Sequence, residues 1–369
     1  MIPFKNETMI KPERICLELT NYCDLACVFC DRQRLKHEGM ALDDMSGALF
    51  QKILKDIGAV YSRRDKLDTL VLVGLGEPLL TRDLGKRLEE ILTYAHVFRN
   101  IELTSNGTSL TEQKAKMLLE SAVNCFTFSV NFTDRDVYAR MMGKDRFDRV
   151  IENVRNFLKL KKEKGNRASV NIQLFAEPEA ADRDLEKMKS FFPEAAKDPR
   201  AVFHIQPVYN KPAVQENKAV LDVITSAKQR HPCWCLYSIV YIDIEGFVYP
   251  CTIGNDCYRK TSSLNIGNIF NKSLAEIFND DSIVQGRERA ESGQLPFAEC
   301  RDCNIWAIMP NIFRYNRNKR RWDKRKACEL LMKLKYRLRS ASGRLPHSVQ
   351  NLFRKIYSLI FHSYNKKVN

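Results

Sequence analysis

The stretch Asp68–Gly76, DTLVLVGLG, constrains the fold more than any other in this chain. A short apolar run without alternation, closed by two glycines, fits a strand covered on both faces, as in parallel sheets. Strand-like segments recur at Ile15–Thr20, Leu70–Val73, Ile101–Thr104, Cys125–Val130, Val170–Phe175 and Val202–Pro207. Helical patterns lie between them, near residues 46–61, 82–97, 111–122, 146–163 and 182–191. Alternating strands and helices favour an α/β fold with a parallel sheet, here a curved partial (β/α)6 barrel. Ligands of such folds sit at the C-terminal ends of the strands.

The 369 residues divide further by texture. Residues 1–208 carry the barrel pattern and 209–230 read as a connection. Residues 231–310 form a small Cys-rich domain in which Gly246 marks a hairpin turn, and 311–369 form a basic helical tail. The net charge of +15 belongs to that tail alone. Residues 1–310 hold 43 basic and 43 acidic side chains, whereas 311–369 hold 17 and 2. A balanced body is not the footprint of a nucleic-acid-binding protein. The tail carries amphipathic patterns at 326–340 and 349–360. They suit a helical cap on the body, an anionic membrane surface, or an acidic partner. No signal core and no run of about 18 apolar residues is seen, so a cytoplasmic chain is expected, with the tail allowing a peripheral place on the inner membrane face. Twelve cysteines in such a chain read as metal ligands more readily than as disulfides.

The sharpest local motif is ELTNYCDLACVFC, with Cys23, Cys27 and Cys30 directly after the first strand. Three thiolates hold three irons of a 4Fe-4S cube and leave the fourth iron open. Buried structural thiols and part of a zinc site are the alternatives from spacing alone. Further polar and glycine-rich turns close the next strands. These are Gly74-Leu75-Gly76-Glu77-Pro78, Thr104-Ser105-Asn106-Gly107, and Ser129 at the end of strand four. Backbone bared by glycines beside a carboxylate suits an ammonium group, and small hydroxyl and amide groups suit a ribose or a carboxylate.

In this order and at these strand ends, the motifs resemble those of the radical SAM enzymes over roughly residues 12–208. The resemblance implies that Cys23, Cys27 and Cys30 bind a 4Fe-4S cluster whose open iron takes S-adenosylmethionine. It implies that Phe29 lies near the adenine, and that Gly74, Gly76 and Glu77 meet the methionine amino group. Ser105, Asn106 and Ser129 complete the expected cofactor set. One departure stands out. Where many relatives carry an Arg before the Gly of a stretch like YARMMGKDRF, this chain has Met142, with Arg140 and Lys144 as substitutes for the carboxylate anchor.

A second cysteine set has the form C-x12-G-x4-C, then C-x2-C, made of Cys233, Cys251, Cys300 and Cys303. Four thiolates suit structural zinc or a fully ligated auxiliary 4Fe-4S cluster, and spacing does not separate the two. The set resembles the auxiliary-cluster domains called SPASM and twitch, which implies the cluster. Position 309 is Met and the only later cysteine is Cys328, so one auxiliary cluster is expected. Cys233 and Cys235 compete for the first ligand position. Cys233 is preferred because it sets Leu236 and Tyr237 where related hairpins carry a Leu-aromatic pair. In an extended segment Cys235 would face the other way. Cys257 stays ambiguous, and Cys16 and Cys125 read as buried strand residues.

The resemblance implies an enzyme that reductively cleaves S-adenosylmethionine to a 5′-deoxyadenosyl radical, which abstracts hydrogen from a substrate. A low-potential donor such as flavodoxin or ferredoxin is the implied partner. A fully ligated second cluster able to take an electron points to oxidation of a carbohydrate or polyol. The rival is maturation of a ribosomally made peptide by oxidation, crosslinking or epimerisation. About a dozen residues precede strand one, so no fused N-terminal peptide-recognition domain is expected. Outside enzymes, a zinc-stabilised binding module is the alternative. His204, Gln206, Asn171 and Gln173 are strand residues that could face a substrate, and Asp243 and Glu245 read as turn or solvent residues.

Overall fold

A computed structural model describes residues 9–176, 180–205, 232–251, 260–301, 303, 313–316 and 321–324. Six parallel strands follow the expected alternation. They are β1 (Arg14–Leu17), β2 (Leu67–Leu72), β3 (Phe98–Ser105), β4 (Cys125–Asn131), β5 (Ser169–Leu174) and β6 (Ala201–Ile205). Their order in the sheet is sequential, each strand pairing with the next. Right-handed crossovers between sequential parallel strands put all the helices on one face. The other face is left concave.

The helices were legible where an apolar stripe had room to repeat. Helix α2 (Gly47–Val60) buries Leu49, Phe50, Ile53, Leu54 and Ile57, and Ser46 caps it by accepting the Leu49 N–H. Such a cap contributes about 1 kcal/mol. Helices α3 (Leu84–Thr93), α4 (Glu112–Glu120), α6 (Phe147–Glu163) and α7 (Ala181–Phe191) match the other patterns. Three short helices were not foreseen: α1 (Asp31–His37), α5 (Arg135–Met142) and α8 (Pro193–Lys197). Each is too short for a periodic stripe to register.

The concave face is polar at its floor. Arg14 pairs with Glu102 at 2.8 Å, and Glu102 also accepts the Thr127 hydroxyl at 2.6 Å. Asn171 donates to Thr127 and to the sulfur of Cys125, while Ser129 donates to Gln173 one layer up. Asn171 and Gln173 therefore share one face of β5, as residues two apart in a strand must. His204 lies exposed on β6, and Gln206 falls outside the described residues. Cys16 is buried as expected.

The Cys-rich region extends the same sheet. Strand β7 (Ile239–Ile242) pairs in parallel with β1, Arg14 against Ile239 and Leu17 against Ile242. It turns through Gly246, at φ +83°, into antiparallel β8 (Phe247–Tyr249), and β8 pairs with β9 (Gly267–Asn268). Helical turn α9 (Cys235–Ser238) leads into β7, and α10 (Leu274–Ile277) and α11 (Asp281–Glu291) follow β9. The hairpin expected from Gly246 is present, and its addition to the edge of the barrel sheet has no local signal in either segment.

Within the region read as a basic helical tail, Phe313–Asn316 (β10) and Arg321–Lys324 (β11) form an antiparallel ribbon. The two helical patterns, and with them the tail's proposed membrane or partner surface, lie outside the described residues. So do the 209–230 connection, Cys257 and Cys328. No described helix is long and apolar enough to cross a membrane.

Candidate functional site

The strand ends converge on the loop that follows β1. Cys23, Cys27 and Cys30 are half-buried and none is in a disulfide. Cys30 begins α1, and its N–H donates to the Cys27 carbonyl at 3.1 Å. The loop is held from several sides. The carbonyls of Met142 and Met141, at the end of α5, accept the N–H groups of Ala26 and Val28. Asp24 accepts from Asn106, Thr108 and Ser109 beyond β3. Buried Arg32 donates to the Asn21 carbonyl at 2.7 Å, and Asn21 itself bridges to Ala41 and Asp43. A cavity of about 450 Å³ opens beside Cys27 and Cys30.

Burial keeps the Cys23 and Cys27 thiols in their neutral form. Burial pushes the Cys23 thiol up to about 11. Cys27 is raised further, by burial first and then by its neighbours Cys30 and Cys23. The three sulfurs thus sense one another, and iron binding must release their protons. The buried hydroxyl of Tyr138 has no hydrogen-bond partner among the described residues, and Cys27 acts on its charge. Cluster and cysteinyl sulfur are acceptors for such an orphan. No three His, Cys, Asp or Glu side chains among the described residues are arranged to hold a single ion. A cube asks for a different arrangement, because each thiolate takes its own iron. Three thiolates would hold three irons of such a cube and leave the fourth open.

Glu77, Ser105 and Asn106 come together, but their polar atoms are spent on one another. The Glu77 carboxylate is 2% exposed and accepts the N–H groups of Leu79 at 3.0 Å and Asn106 at 2.7 Å. Burial raises its pKa to about 7 despite these donors. Ser105 accepts the Gly107 N–H, and Asn106 reaches Asp24 and, at 3.8 Å, the Cys23 sulfur. These residues tie the ends of β2 and β3 to the Cys loop. Gly74 and Gly76 supply close approach. A Cβ on Gly74 would stand 2.5 Å from Glu18, and one on Gly76 would stand 2.1 Å from the Thr20 carbonyl oxygen.

Phe29 packs edge-on against Phe175 at 5.3 Å between centroids, and Phe132 lies against Phe175 in turn. This aromatic group closes the ends of β4 and β5. Phe175 and Phe132 were missed because only Phe29 is marked by a neighbouring cysteine. Ser129 and Gln173 face the same side, one strand apart. Met142 does not offer a charge. Its sulfur lies 3.8 Å from Cys27 Sγ and 3.6 Å from Asn131, whose φ of 69° marks the irregular end of β4. Arg140 and Lys144 are both exposed.

At the second set, the helical turn of α9 changes the reading of Cys235. In a helix its side chain does not alternate with that of Cys233. It is buried and hydrogen-bonded to both Cys233 and Cys251, which raises its pKa well above the ordinary thiol value. Cys300 ends a short 3₁₀ turn, and the Cys303 N–H donates back to its carbonyl. Glu299 fastens that turn by accepting from Ser262 and from the Ser263 N–H. Cys233, Cys235, Cys251, Cys300 and Cys303 all pack on the common core. If Cys233 is the ligand, Cys233→Ser will halve the iron retained at this centre or lose it, while Cys235→Ser will keep it. Iron analysis of each variant, built on a chain lacking the first trio, checks this; the reverse pattern moves the ligand to Cys235.

Comparison with known proteins agrees with this arrangement. The family model of the radical SAM superfamily matches residues 17–191, and that of the SPASM iron–sulfur cluster-binding domain matches residues 233–304. A probable GTP 3′,8-cyclase of Saccharolobus islandicus (strain M.14.25 / Kamchatka #1) is 26% identical over 144 residues, which is 39% of this chain and 43% of that protein. The match thus spans less than half the length of that curated relative. Among solved structures, BtrN in complex with AdoMet and 2-DOIA superposes with a TM-score of 0.51 at 17% identity, covering 80% of this chain and 93% of BtrN. Streptococcus suis SuiB bound to S-adenosylmethionine gives 0.50 at 15% identity, covering 86% and 77%. At these identities the likeness is one of fold.

Proposed function

Because this chain belongs to the radical SAM superfamily through residues 17–191 and carries an iron–sulfur cluster-binding domain over 233–304, we propose that it oxidises a carbohydrate or polyol by two electrons. When bound, the cluster held by Cys23, Cys27 and Cys30 together with S-adenosylmethionine would supply hydrogen-atom abstraction at a carbinol carbon, and a cluster held by the second thiolate set would supply a one-electron acceptor. The hydroxyl proton leaves to solvent or a base, so an alcohol becomes a ketone. The observation that carries this reading is the parallel pairing of β1 with β7. One sheet then holds both the Cys loop, which follows β1, and the hairpin of the second thiolate set, in which Cys233 precedes β7 and Cys251 follows β8.

The chain's own residues supply the rest. Cys23, Cys27 and Cys30 hold the first centre, and Cys233, Cys251, Cys300 and Cys303 hold the second. Asp24, Asn106 and the end of α5 fix the Cys loop. The backbone of the Gly74–Gly76 turn meets the methionine amino group, Phe29 with Phe175 forms the adenine wall, and Ser129 with Gln173 meets the ribose or substrate. Electrons come from a small acidic donor such as flavodoxin or ferredoxin, and the chain works in the cytoplasm.

Reconstituted, reduced protein incubated with S-adenosylmethionine and a panel of carbon-deuterated cyclitols and hexoses tests the reaction. Deuterium is expected in 5′-deoxyadenosine, with one carbonyl formed for each molecule. Deuterium arriving from a labelled peptide and from none of the sugars would move the assignment to peptide maturation.

A further inference from the structure

Two carboxyl groups lie buried where the two domains join, and no motif pointed to either role. Glu18 follows β1 directly and is 2% exposed; Asp243 follows β7 and is 8% exposed. The register pairs Cys16 with Tyr241 and Leu17 with Ile242, so Glu18 and Asp243 are the next pair, on the face that carries Cys16 and Tyr241. Adjacent strands run about 4.8 Å apart. Neither carboxyl has an ion pair among the described residues.

Every element around the pair contributes a contact. The Leu75 N–H, in the turn after β2, donates to Glu18 Oε1 at 2.6 Å. The Ile244 N–H also acts on Glu18 as a donor, the Tyr241 hydroxyl acts on its charge, and Asp243 acts on it as a like charge. Asp243 accepts the N–H groups of Glu245 and Phe247 with Oδ1 and the Tyr249 hydroxyl with Oδ2. The charge of Glu245 bears on it as well, and Lys260 is engaged with Glu245 at 2.7 Å. Gly74 has no side chain because Glu18 fills that place.

We propose that the Glu18–Asp243 pair holds a proton at the domain joint, and that Glu18 through it positions the Gly74–Leu75 peptide for S-adenosylmethionine. Two neighbouring buried carboxyls do not both ionise readily, so they titrate as one unit. In its singly protonated form Glu18 still accepts the Leu75 N–H from the turn, and the Ile244 N–H reaches it from the hairpin. The turn that meets the methionine amino group is thereby tied to the auxiliary hairpin. Burial, then Asp243, raises Glu18 to about 8, and burial raises Asp243 to about 7, which agrees with a retained proton near neutral pH. Glu18 acts as a positioning residue, and the inference rests on the Gly74–Gly76 turn being part of the S-adenosylmethionine cradle.

Wild type, Glu18→Gln and Glu18→Ala, each reconstituted with iron and sulfide, test it. Gln keeps an acceptor for Leu75 and cannot ionise; Ala removes the acceptor. Equilibrium dialysis against S-adenosylmethionine reads binding without turnover. The Gln variant is expected within about threefold of wild type and the Ala variant at least about tenfold weaker, both with wild-type iron content. Melting temperature from pH 4 to 9 reads the proton. A carboxyl raised in the folded state keeps a proton that the unfolded chain releases near pH 4.5. Wild type therefore loses stability as pH climbs from there through about 8, and Glu18→Gln escapes that share of the loss. Its melting temperature should gain on wild type by about 3 °C or more across that window. Unchanged binding by Glu18→Ala, or a gap between wild type and Glu18→Gln that stays constant with pH, would overturn the proposal. Should Glu18→Ala not fold, the Gln variant's pH profile decides alone. Failure of wild type itself to bind S-adenosylmethionine would instead remove the reading of the turn.

Discussion

Replacing Cys23, Cys27 and Cys30 together with Ala will abolish formation of 5′-deoxyadenosine and leave the fold standing. Iron should fall from about eight to about four per chain, the content of one remaining cube. No other described cysteine stands in this loop to replace the trio, so the loss is expected to be complete rather than partial. The fold should persist because the loop is not held by the thiols. Asp24 is fastened to Asn106, Thr108 and Ser109, Arg32 to Asn21, and the backbone of Ala26 and Val28 to the end of α5. The three thiols are half-buried, so losing them removes little packing. Circular dichroism with a melting temperature within a few degrees of wild type checks the second half. Retention of both clusters by the triple variant would show that the trio is not the first centre.

The second large effect belongs to Gly76. Gly76→Ala places a methyl group 2.1 Å from the Thr20 carbonyl oxygen and 2.7 Å from that of Tyr22, both backbone atoms of the segment that leads into Cys23. Neither side yields easily. Tyr22 is bonded through its carbonyl to the Glu77 N–H at 2.7 Å, and Glu77 is buried against β3. The substitution should cost about 3 kcal/mol or more of stability, the range of overpacking combined with a broken buried network. Binding of S-adenosylmethionine should fall with it. Gly47→Ala is the control, since it opens α2 and a Cβ there meets nothing within 4 Å. It should be neutral or slightly stabilising. Urea denaturation of both variants measures the difference, and equal midpoints would contradict the steric account.

The barrel and both cysteine sets were legible in sequence. Apolar runs and periodic stripes mark strands and helices locally, a few residues of spacing mark the first trio, and the second set, split by 48 residues between Cys251 and Cys300, was read through its resemblance to auxiliary-cluster domains. What escaped depends on distant pairing. Glu18 and Asp243 meet only because β7 adds to β1, and no local pattern in either segment announces that edge. Asp243 therefore read as a turn residue. Its Oδ1 does serve the turn, while its burial and the Tyr249 bond come from the strand beside it. Glu77, Ser105 and Asn106 were marked by residue type and position, and they do gather at the strand ends. Their donors and acceptors turn inward because the Cys loop needs them, which composition does not reveal. The segment at Cys235 winds into a helical turn, so the two-residue alternation of an extended segment does not set its direction. The seven residues of α1, DRQRLKH, carry one buried apolar side chain, Leu35, too little for a stripe.

The proposed function requires the Cys23–Cys27–Cys30 loop and the Gly74–Gly76 turn to act together in cleaving S-adenosylmethionine. The most direct measurement is chromatographic quantification of 5′-deoxyadenosine from anaerobically reconstituted, dithionite-reduced protein supplied with S-adenosylmethionine, beside the triple Ala variant. Wild type holding about eight iron atoms should form it, and the variant holding about four should form none. Wild type that carries its full iron and forms no 5′-deoxyadenosine would contradict the account.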